Sequence, residues 1–330
     1  MTFPAQHLCA GFFLYEATVL NYAIRRLLLL IPLLLFVSLF VFAILKLTPG
    51  DPATAILGDQ ATEEAIALAR AKYALDQPFY VQYVHMMINF FSGELQSIFY
   101  KGNVISIVLQ RLPATLELGF LSLLIAVIIS VPVGIISAVK RNSFFDYASM
   151  SMAMIGVSIP VFFTGILLIY FFAVILKVLP ASGYGGHIWT IEGLRHMILP
   201  ALSLSFVLMA STTRLTRSAM LEVIHQDYIR TARAKGVSRF VVVMYHALKN
   251  ALIPITTNIG NQIARMFAGA VLTETVFAWP GVGRLAVNAI FRRDEPLVFG
   301  CVLLMAVVYV IINLLVDLIY GFLNPQISYD

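Results

Sequence analysis

The stretch that decides the fold is LEVIHQDYIRTARAKGVSRFVVVMYHALKNALIP, residues 221–254. It is a long polar interval between two segments that are apolar enough to span a bilayer. Apolar or small residues recur in it every three or four positions, which predicts one side of a helix: Leu221, Ile224, Tyr228, Ala232 and Gly236. Gly236 is expected to end that helix in a left-handed cap or a sharp bend, before a second short helix begins. The pattern predicts a stiff unit that projects from the membrane.

The charges of this stretch have two interpretations. The basic residues lie largely off the stripe, at Arg230, Arg233, Lys235 and Arg239. A solvated basic loop held near anionic lipid would look the same. However, Ala232 and Ala234 let another surface approach closely, and guanidinium groups suit bidentate contacts with carboxylates. These features favour a docking surface for a second protein.

The composition places the chain in a membrane. Of its 330 residues, 60% are hydrophobic and only 12% are charged, and the mean hydropathy is +0.89. Too little polar surface remains to coat a water-soluble globule. The net charge of +5 is no sign of nucleic-acid binding, because the basic residues fall at membrane edges. Cys9 and Cys301 support neither a disulfide framework nor a metal site.

Six membrane spans are predicted from the apolar runs, at about 27–45, 114–139, 148–176, 198–214, 250–276 and 298–322. Pro132 with Gly134 predicts a kink in the second span, and Pro160 with Gly165 predicts interruptions in the third. A polar interval, 48–112, separates the first two spans. It is expected to hold a helix over 62–73 with Thr62 as its N-cap. LDQPFYVQYVHMMINFFSGEL, residues 75–95, predicts a second, amphipathic helix whose aromatic stripe packs on the bilayer or on the protein core.

The distribution of charge predicts the orientation. With six spans both termini share one side. Their side carries eleven basic residues, namely Arg25, Arg26, Lys140, Arg141, Arg214, Arg217, Arg230, Arg233, Lys235, Arg239 and Lys249. The short loops of the other side carry five, namely Lys177, Arg195, Arg284, Arg292 and Arg293. Because cytoplasmic loops are enriched in Lys and Arg, both termini and the 221–254 stretch are expected in the cytoplasm.

No catalytic constellation is found in the sequence. Six histidines lie in loops or at interfaces, and none is spaced with a carboxylate or cysteine as a metal ligand: His7, His85, His187, His196, His225 and His246. The chain lacks a G-x-x-x-x-G-K phosphate loop. We therefore expect no catalytic, cofactor or metal site, and any ATP and Mg must be bound by separate chains.

A polar strip on the fifth span is a candidate pathway lining. Asn258, Asn261, Gln262 and Arg265 are spaced i, i+3, i+4 and i+7, so they share one helix face. A charge facing lipid at this depth costs about 2.5–3.5 kcal/mol, so the face should meet a water-filled path. The alternative is an interhelical hydrogen-bond strip in which Glu117 or Asp317 neutralises Arg265.

Two further polar or aromatic features have structural interpretations. Asn313 and Asp317 form an i, i+4 pair on the sixth span, which predicts an interhelical or interfacial polar tie. Trp279 is expected to anchor the outer membrane interface, where tryptophan is enriched.

Several stretches resemble a known family. DYIRTARAKG (227–236) followed by HALKNALIP (246–254) resembles the cytoplasmic coupling loop, the EAA loop, of permease subunits in ATP-binding-cassette (ABC) importers of the dipeptide, oligopeptide and nickel family. Ala232 and Gly236 match the motif's second alanine and its glycine, whereas Arg230 stands where the motif has an acidic residue. The same family is resembled by TPGDP (48–52), LPATLELG (112–119), RHMILPALSL (195–204), TETVFAWPGVGRL (273–285) and NLLVDLIYG (313–321). GELQSIFYKGN (93–103) departs from the family's GDLG pattern.

This resemblance implies an all-α integral membrane protein with the type I ABC importer permease fold and a helical extracytoplasmic insertion. It implies an N-terminal extension over 1–19, a first membrane helix over 20–47, an extracytoplasmic loop over 48–112, a core over 113–323 with a coupling loop at 215–249, and a cytoplasmic tail over 324–330. The location implied is the bacterial cytoplasmic (inner) membrane. ATPase coupling would fall to Asp227, Tyr228, Arg230, Thr231, Ala232, Arg233, Ala234, Lys235 and Gly236.

The resemblance also implies partners: a second, homologous permease, two ABC ATPase subunits and an extracytoplasmic substrate-binding protein, all acting within membrane lipid. Short peptides are the expected cargo, with nickel, glutathione or haem as alternatives. A secondary transporter that needs no ATPase remains a different class, but it would usually show more spans, repeat symmetry and buried carboxylates. An intramembrane enzyme is disfavoured, because no buried nucleophile and base are paired.

Overall fold

The computed structural model describes the backbone of residues 5–47, 61–72 and 76–323, and side chains from residue 24 onward except at 69, 71, 72, 264, 265 and 319–323. The regular elements of the described chain are helices, apart from an isolated bridge between Gln96 and Asn103. The whole TPGDP motif and the tail lie outside the described residues.

Within the described residues, the helices are joined by short turns and by two longer connections, 92–103 and 176–190. In chain order they are α1 (Ala5–Leu47), α2 (Glu63–Lys72), α3 (Phe79–Phe91), α4 (Val104–Val139), α5 (Phe144–Ser158), α6 (Val161–Leu168), a π-helical turn (Ile169–Ile175), α7 (Ile191–Ile224), α8 (Asp227–Ala234), α9 (Arg239–Val241), a second π-helical turn (Val242–Ala247), α10 (Leu248–Val276), α11 (Val282–Phe291) and α12 (Glu295–Leu323). They divide between two compact units, Met1–Val108 with Asn288–Asp330, and Leu109–Val287.

The first unit is built on the packing of α1 against α12. Arg26 and Asp317 join these helices with an ion pair of 3.2 Å, which confirms the predicted interhelical role of Asp317. The aromatic helix α3 packs on the same pair, because its Tyr83 hydroxyl lies 2.7 Å from the Ser38 hydroxyl and Phe90 meets Phe299 edge-on at 6.0 Å. Packing on the protein core, one of the two interpretations of the aromatic stripe, is confirmed for these residues. The predicted N-cap is also confirmed, since Thr62 accepts a hydrogen bond from the amide of Ala65.

The loop 93–103, which departs from the family pattern, is held by a buried carboxylate. Asp294 is fully buried just before α12. Its Oδ2 accepts hydrogen bonds from the Ser97 hydroxyl at 2.5 Å and from the Phe99 amide at 3.2 Å. Its Oδ1 accepts from the amides of Ile98 and Leu297, both at 3.2 Å. One side chain therefore fixes the loop and caps the first turn of α12.

The second unit is arranged around α7, which packs against α5, α6 and α10. Gly134 lets α4 approach closely, because an added Cβ would lie 2.6 Å from Thr216 Cβ and 2.9 Å from the Thr213 carbonyl oxygen. An ion pair adds a second tie, in which Arg217 of α7 donates two hydrogen bonds, 2.5 and 2.7 Å long, to the buried carboxylate of Asp146 at the start of α5. Nothing in the local sequence pattern pointed to this pair, since its members are 71 positions apart.

The count of six spans is met only if a bent pair is one of them. Within the described residues, five helices are long and apolar enough to cross a membrane, and α5 with α6 and its π-turn forms a pair bent by 110°. The bend lies at Ile159, which is extended (φ −87°, ψ 128°) because proline disfavours the helical conformation in the residue before it. Gly165 does not interrupt the helix as predicted. It gives room instead to the ring of Phe277, 2.9 Å from an added Cβ.

Span boundaries also differ from the prediction, including the end of the fourth span, which continues to Ile224 rather than 214. The second span is one continuous helix from Val104 through Pro132 to Val139, and it begins inside the predicted loop 48–112. The fourth span starts at Ile191 rather than near 198, because Thr190 caps it by accepting a hydrogen bond from the Gly193 amide.

Two of the motifs quoted above meet in a buried junction. Glu274 of α10 is fully buried, and its carboxyl oxygens accept hydrogen bonds from the Thr115 hydroxyl at 2.7 Å and the Arg284 amide at 2.9 Å. The Thr115 hydroxyl in turn accepts from the amide of Val282. These side chains satisfy the free amides at the start of α11. The junction joins LPATLELG to TETVFAWPGVGRL.

Trp279 belongs to this junction, and the prediction of an interface anchor is wrong. The ring is fully buried, and its Nε1 donates a hydrogen bond of 2.9 Å to the carbonyl oxygen of Ala114. Its indole packs in a cluster with Leu118, Met197 and Leu204. The partner for its N–H is supplied by another span rather than by lipid headgroups.

Replacing Gly281 by alanine should destabilise the junction. An added Cβ would lie 2.1 Å from Glu274 Oε1, so the carboxyl group would have to leave its donors. Overpacking of this kind costs about 1–3 kcal/mol. We expect a lower midpoint of thermal unfolding in detergent for Gly281→Ala. Gly102→Ala is the matched control, because its Cβ would meet nothing closer than 3.5 Å. Equal midpoints for the two variants would contradict the role of the junction.

Candidate functional site

The coupling segment, residues 225–247, has the predicted arrangement of helix, glycine break and helix. The chain leaves α7 at His225 and Gln226, forms α8, and turns at Gly236 with a φ of +78°. Few residues besides glycine adopt this backbone conformation at low cost. Beyond it α9 and the π-turn run into α10 without interruption. The segment is therefore joined at both ends to long helices.

The buried side of α8 differs from the predicted stripe. Ile229 has no exposed surface and packs in a core cluster with Met220, Val242 and Ala251. Tyr228, assigned to the stripe, is 37% exposed. The reason is that Gln226 is extended (φ −74°, ψ 153°), which breaks the helix and resets its phase before α8. A single period running from Leu221 to Gly236 is wrong.

The exposed side of α8 carries most of the proposed coupling residues. Asp227, Arg230, Thr231, Arg233, Ala234, Lys235 and Gly236 are exposed in the described chain. Arg230 lies 3.5 Å from Asp227, and the Tyr228 hydroxyl accepts a hydrogen bond of 2.6 Å from Asn250 of α10. Ala232 instead packs partly against the core of its own chain. Its small size serves the seating of α8, while Ala234 is free for a partner.

The residues of the polar strip on α10 lie in different environments. Gln262 is 5% exposed and donates a hydrogen bond of 2.9 Å to the Thr212 hydroxyl of α7. Asn258 donates to the same hydroxyl at 3.4 Å. Asn261 is exposed, and the side chain of Arg265 lies outside the described residues. The interhelical alternative therefore describes Asn258 and Gln262, and pathway lining stays a prediction.

The two carboxylates considered as neutralising partners of Arg265 have other contacts. Asp317 pairs with Arg26, as described above. Glu117 Oε1 lies 2.9 Å from Nδ1 of His187, while its Oε2 is buried and has no hydrogen-bond partner in the described chain. Because the side chain of Arg265 lies outside the described residues, its neutralisation by either carboxylate stays a prediction.

A cluster around His187 was not foreseen from the sequence. The Tyr184 hydroxyl lies 3.4 Å from His187 Nδ1, and its ring packs edge-on against Trp279 at 4.9 Å. Partial burial and the nearby Glu117 carboxylate raise the pKa of Tyr184 above its usual value of 10.0. A second histidine also lies near a carboxylate, since His196 Nδ1 is 3.5 Å from Glu192. Among the described residues, no group of three or more side chains is arranged to hold a metal ion.

Truncating Ile229 should loosen the coupling segment. Ile229→Ala removes the only side chain of α8 that is fully buried in the described structure, and such truncations cost about 2–5 kcal/mol. We expect faster amide hydrogen exchange over 227–236 and easier tryptic cleavage there, with the spans unchanged. Val241→Ala truncates an exposed β-branched residue of the same segment and should leave exchange unaltered. An unchanged rate in Ile229→Ala would show that the burial does not hold α8.

Comparison with known proteins is consistent with these features. Residues 130–329 match the family model described as "Binding-protein-dependent transport system inner membrane component", and residues 19–119 match the model of its N-terminal region. The chain is 42% identical to the dipeptide transport system permease protein DppB of Alkalihalophilus pseudofirmus, over 94% of this chain and all of that one. It is 40% identical to DppB of Escherichia coli, over 94% and 99% of the two chains. The glutathione transport system permease protein GsiC of Escherichia coli is 42% identical, over 94% of this chain and all of that one.

Among solved structures, a chain of the MetNI methionine ABC transporter in an inward-facing crystal form aligns with a TM-score of 0.52. The alignment covers 66% of this chain and 96% of that one, with 20% sequence identity. At this identity the likeness establishes the fold.

Proposed function

Because the chain belongs to the family of binding-protein-dependent transport system inner membrane components, we propose that it is one of two unlike permease subunits of an importer for short peptides. The chain is a multi-pass inner-membrane permease subunit and not itself an enzyme. Most of the named relatives are permeases for dipeptides, for di- and tripeptides or for glutathione, which is itself a short peptide. These names support peptide cargo over nickel or haem.

The coupling segment is the proposed contact with two ABC ATPase subunits, which bind the ATP and Mg. The single observation that carries this proposal is the seating of Ile229 in the core between the ends of α7 and α10. Closure of an ATPase pair drives transport only if it favours one permease conformation over another. A segment anchored in this way transmits displacement to both spans, whereas a solvated loop would absorb it.

The proposed orientation rests on the charge pattern, and the remaining partners are placed by that orientation. The excess of basic residues supports an orientation with both termini and α8 in the cytoplasm. The His187 cluster then lies on the opposite face, where an extracytoplasmic binding protein would deliver peptide. A second, homologous permease would complete the pathway, and Asn261 and Arg265 are the remaining candidates to line it.

Reversing the charge of Arg230 should weaken ATPase binding. Arg230 is exposed on α8 and makes only a 3.5 Å contact with Asp227, so it is available to a partner carboxylate. Because like charges across an interface cost several kcal/mol, we expect the amount of ATPase that co-purifies with Arg230→Glu to fall to about one-tenth of the wild-type amount or less. Arg195→Glu makes the same change in an exposed residue away from the coupling segment and should retain the ATPase.

Failure of ATP-driven import and failure of the Arg230 contact give different results. Purified chain that takes up peptide into liposomes without nucleotide or companion chains would place it among secondary transporters. If Arg230→Glu and wild type retain the same amount of ATPase and uptake still depends on nucleotide, the ATPase contact lies in another part of the chain.

Replacing Arg265 by methionine should alter substrate preference. A cationic side chain beside the pathway would attract the carboxylate of a peptide. We expect uptake of free-acid dipeptides to fall by about tenfold in Arg265→Met, while C-terminally amidated dipeptides are affected less. Arg195→Met serves as the control. Unchanged uptake and unchanged preference would assign Arg265 to helix packing.

A further inference from the structure

A small recess lies beside the coupling segment, within the unit Leu109–Val287. Its volume is about 190 Å³. The end of α4, the following turn, the end of α7, α8, α9 and the second π-turn all contribute to it. It is lined by Ala138, Val139, Arg141, Leu221, Ile224, His225, Arg233, Arg239 and Val243. We call it the basic recess.

The charge of the basic recess is unbalanced. Arg141, Arg233 and Arg239 line it, and no acidic residue does. Arg141 and Arg233 form no hydrogen bond or salt bridge with the described chain, and Arg239 makes only a 3.5 Å contact with the Val139 carbonyl oxygen. The Asp146 carboxylate attracts Arg141 from outside the recess, but its oxygens are bound by Arg217. Because no acidic side chain lines the recess, its three guanidinium groups repel one another, and an anion bound among them would relieve that repulsion.

The donors favour a phosphate group. Guanidinium groups present planar forks of N–H donors that match phosphate oxygens two at a time. His225 Nδ1 lies 2.7 Å from the Leu221 carbonyl oxygen and is occupied as a donor. The imidazole therefore adds a donor at Nε2 only when it is protonated, and the arginines carry the recognition.

The remaining walls favour a phosphate carried by a lipid. Five of the lining residues are apolar: Ala138, Val139, Leu221, Ile224 and Val243. Large aromatic side chains close in sequence to the lining arginines are exposed, with Phe240 after Arg239 at 73% and Phe144, three residues after Arg141, at 88%. Aromatic residues and clustered arginines at the ends of spans mark the depth of the lipid headgroups. A free anion would gain nothing from the apolar walls.

We propose that the basic recess binds the phosphate of an anionic phospholipid and thereby ties the coupling helix α8 to the end of α4. The proposal goes beyond the transport role, and only the leaflet concerned depends on the proposed orientation. Arg233 comes from α8 and Arg141 from the turn after α4, so one bound headgroup bridges the two. Anionic lipid then stiffens the segment through which partner motion reaches the spans.

The test measures lipid binding to the full chain. The chain is purified in detergent together with the subunits that remain bound to it. Native mass spectrometry with phosphatidylglycerol, and with phosphatidylcholine of the same acyl chains, measures affinity. The double variant Arg141→Gln with Arg239→Gln removes two recess charges. Lys140→Gln with Lys249→Gln removes two exposed charges outside the recess lining. We expect the recess variant to lose about thirtyfold in affinity for phosphatidylglycerol, at about fivefold per arginine. The control should bind like wild type.

Other outcomes overturn the proposal. Equal losses in both variants would mean diffuse attraction to charge, and no loss in either would mean that the recess is not the site. If inorganic phosphate displaces phosphatidylglycerol at equal concentration, the recess prefers a free phosphate ion to a lipid headgroup. Loss of the ATPase subunits with unchanged lipid binding would make the recess a protein contact.

A measurement on the wild type removes any dependence on variant folding. Phenylglyoxal modifies accessible arginines. In phosphatidylglycerol vesicles we expect Arg141 and Arg239 to be protected relative to phosphatidylcholine vesicles, with Arg195 modified equally in both. Equal modification of all three in the two vesicles contradicts the proposal.

Discussion

The close seating of α7 against its neighbours is the constraint on which the Leu109–Val287 unit depends. At Gly134 there is no room for a Cβ beside Thr216, and at the next residue of α7 the guanidinium of Arg217 is fixed to the Asp146 carboxylate. A charge of this kind is stable away from water only when it is paired. These two contacts fix α4 and α5 to the last third of a 34-residue helix, which favours rigid packing there.

This packing allows the coupling segment to transmit displacement to the spans. α8 is only eight residues long, too short to be stable by itself in water. It persists because Ile229 is buried under the ends of the two spans and because Gly236 turns the chain back towards α10. Any partner that displaces α8 must displace this core as well. The basic recess lies on the same side, so the lipid proposed there would act on the element that a partner ATPase would grip.

The opposite end of the unit is ordered by buried polar groups. Glu274, Thr115 and the Trp279 indole exchange hydrogen bonds with backbone groups of α4 and α11, and glycine is required at Gly281 because the carboxyl group occupies the space of a Cβ. The Tyr184 ring rests on Trp279, and His187 reaches Glu117. Residues far apart in the chain thus form one continuous polar structure at the end of the spans, across from the coupling segment.

The sequence alone determined the membrane class, most of the spans and the helix–glycine–helix form of the coupling segment, because long apolar runs and a positive-φ glycine act locally. It also located the N-cap at Thr62. Only the tertiary structure decided that Ile229 rather than Tyr228 faces the core, since an extended Gln226 shifts the helical phase. The tertiary structure also buried Trp279 and joined Gln262 to Thr212 by a hydrogen bond. It paired Asp146 with Arg217 and bent the third span by 110° at Ile159. Such outcomes depend on which helices become neighbours, and polar groups in an apolar medium take whichever partner that packing brings within reach.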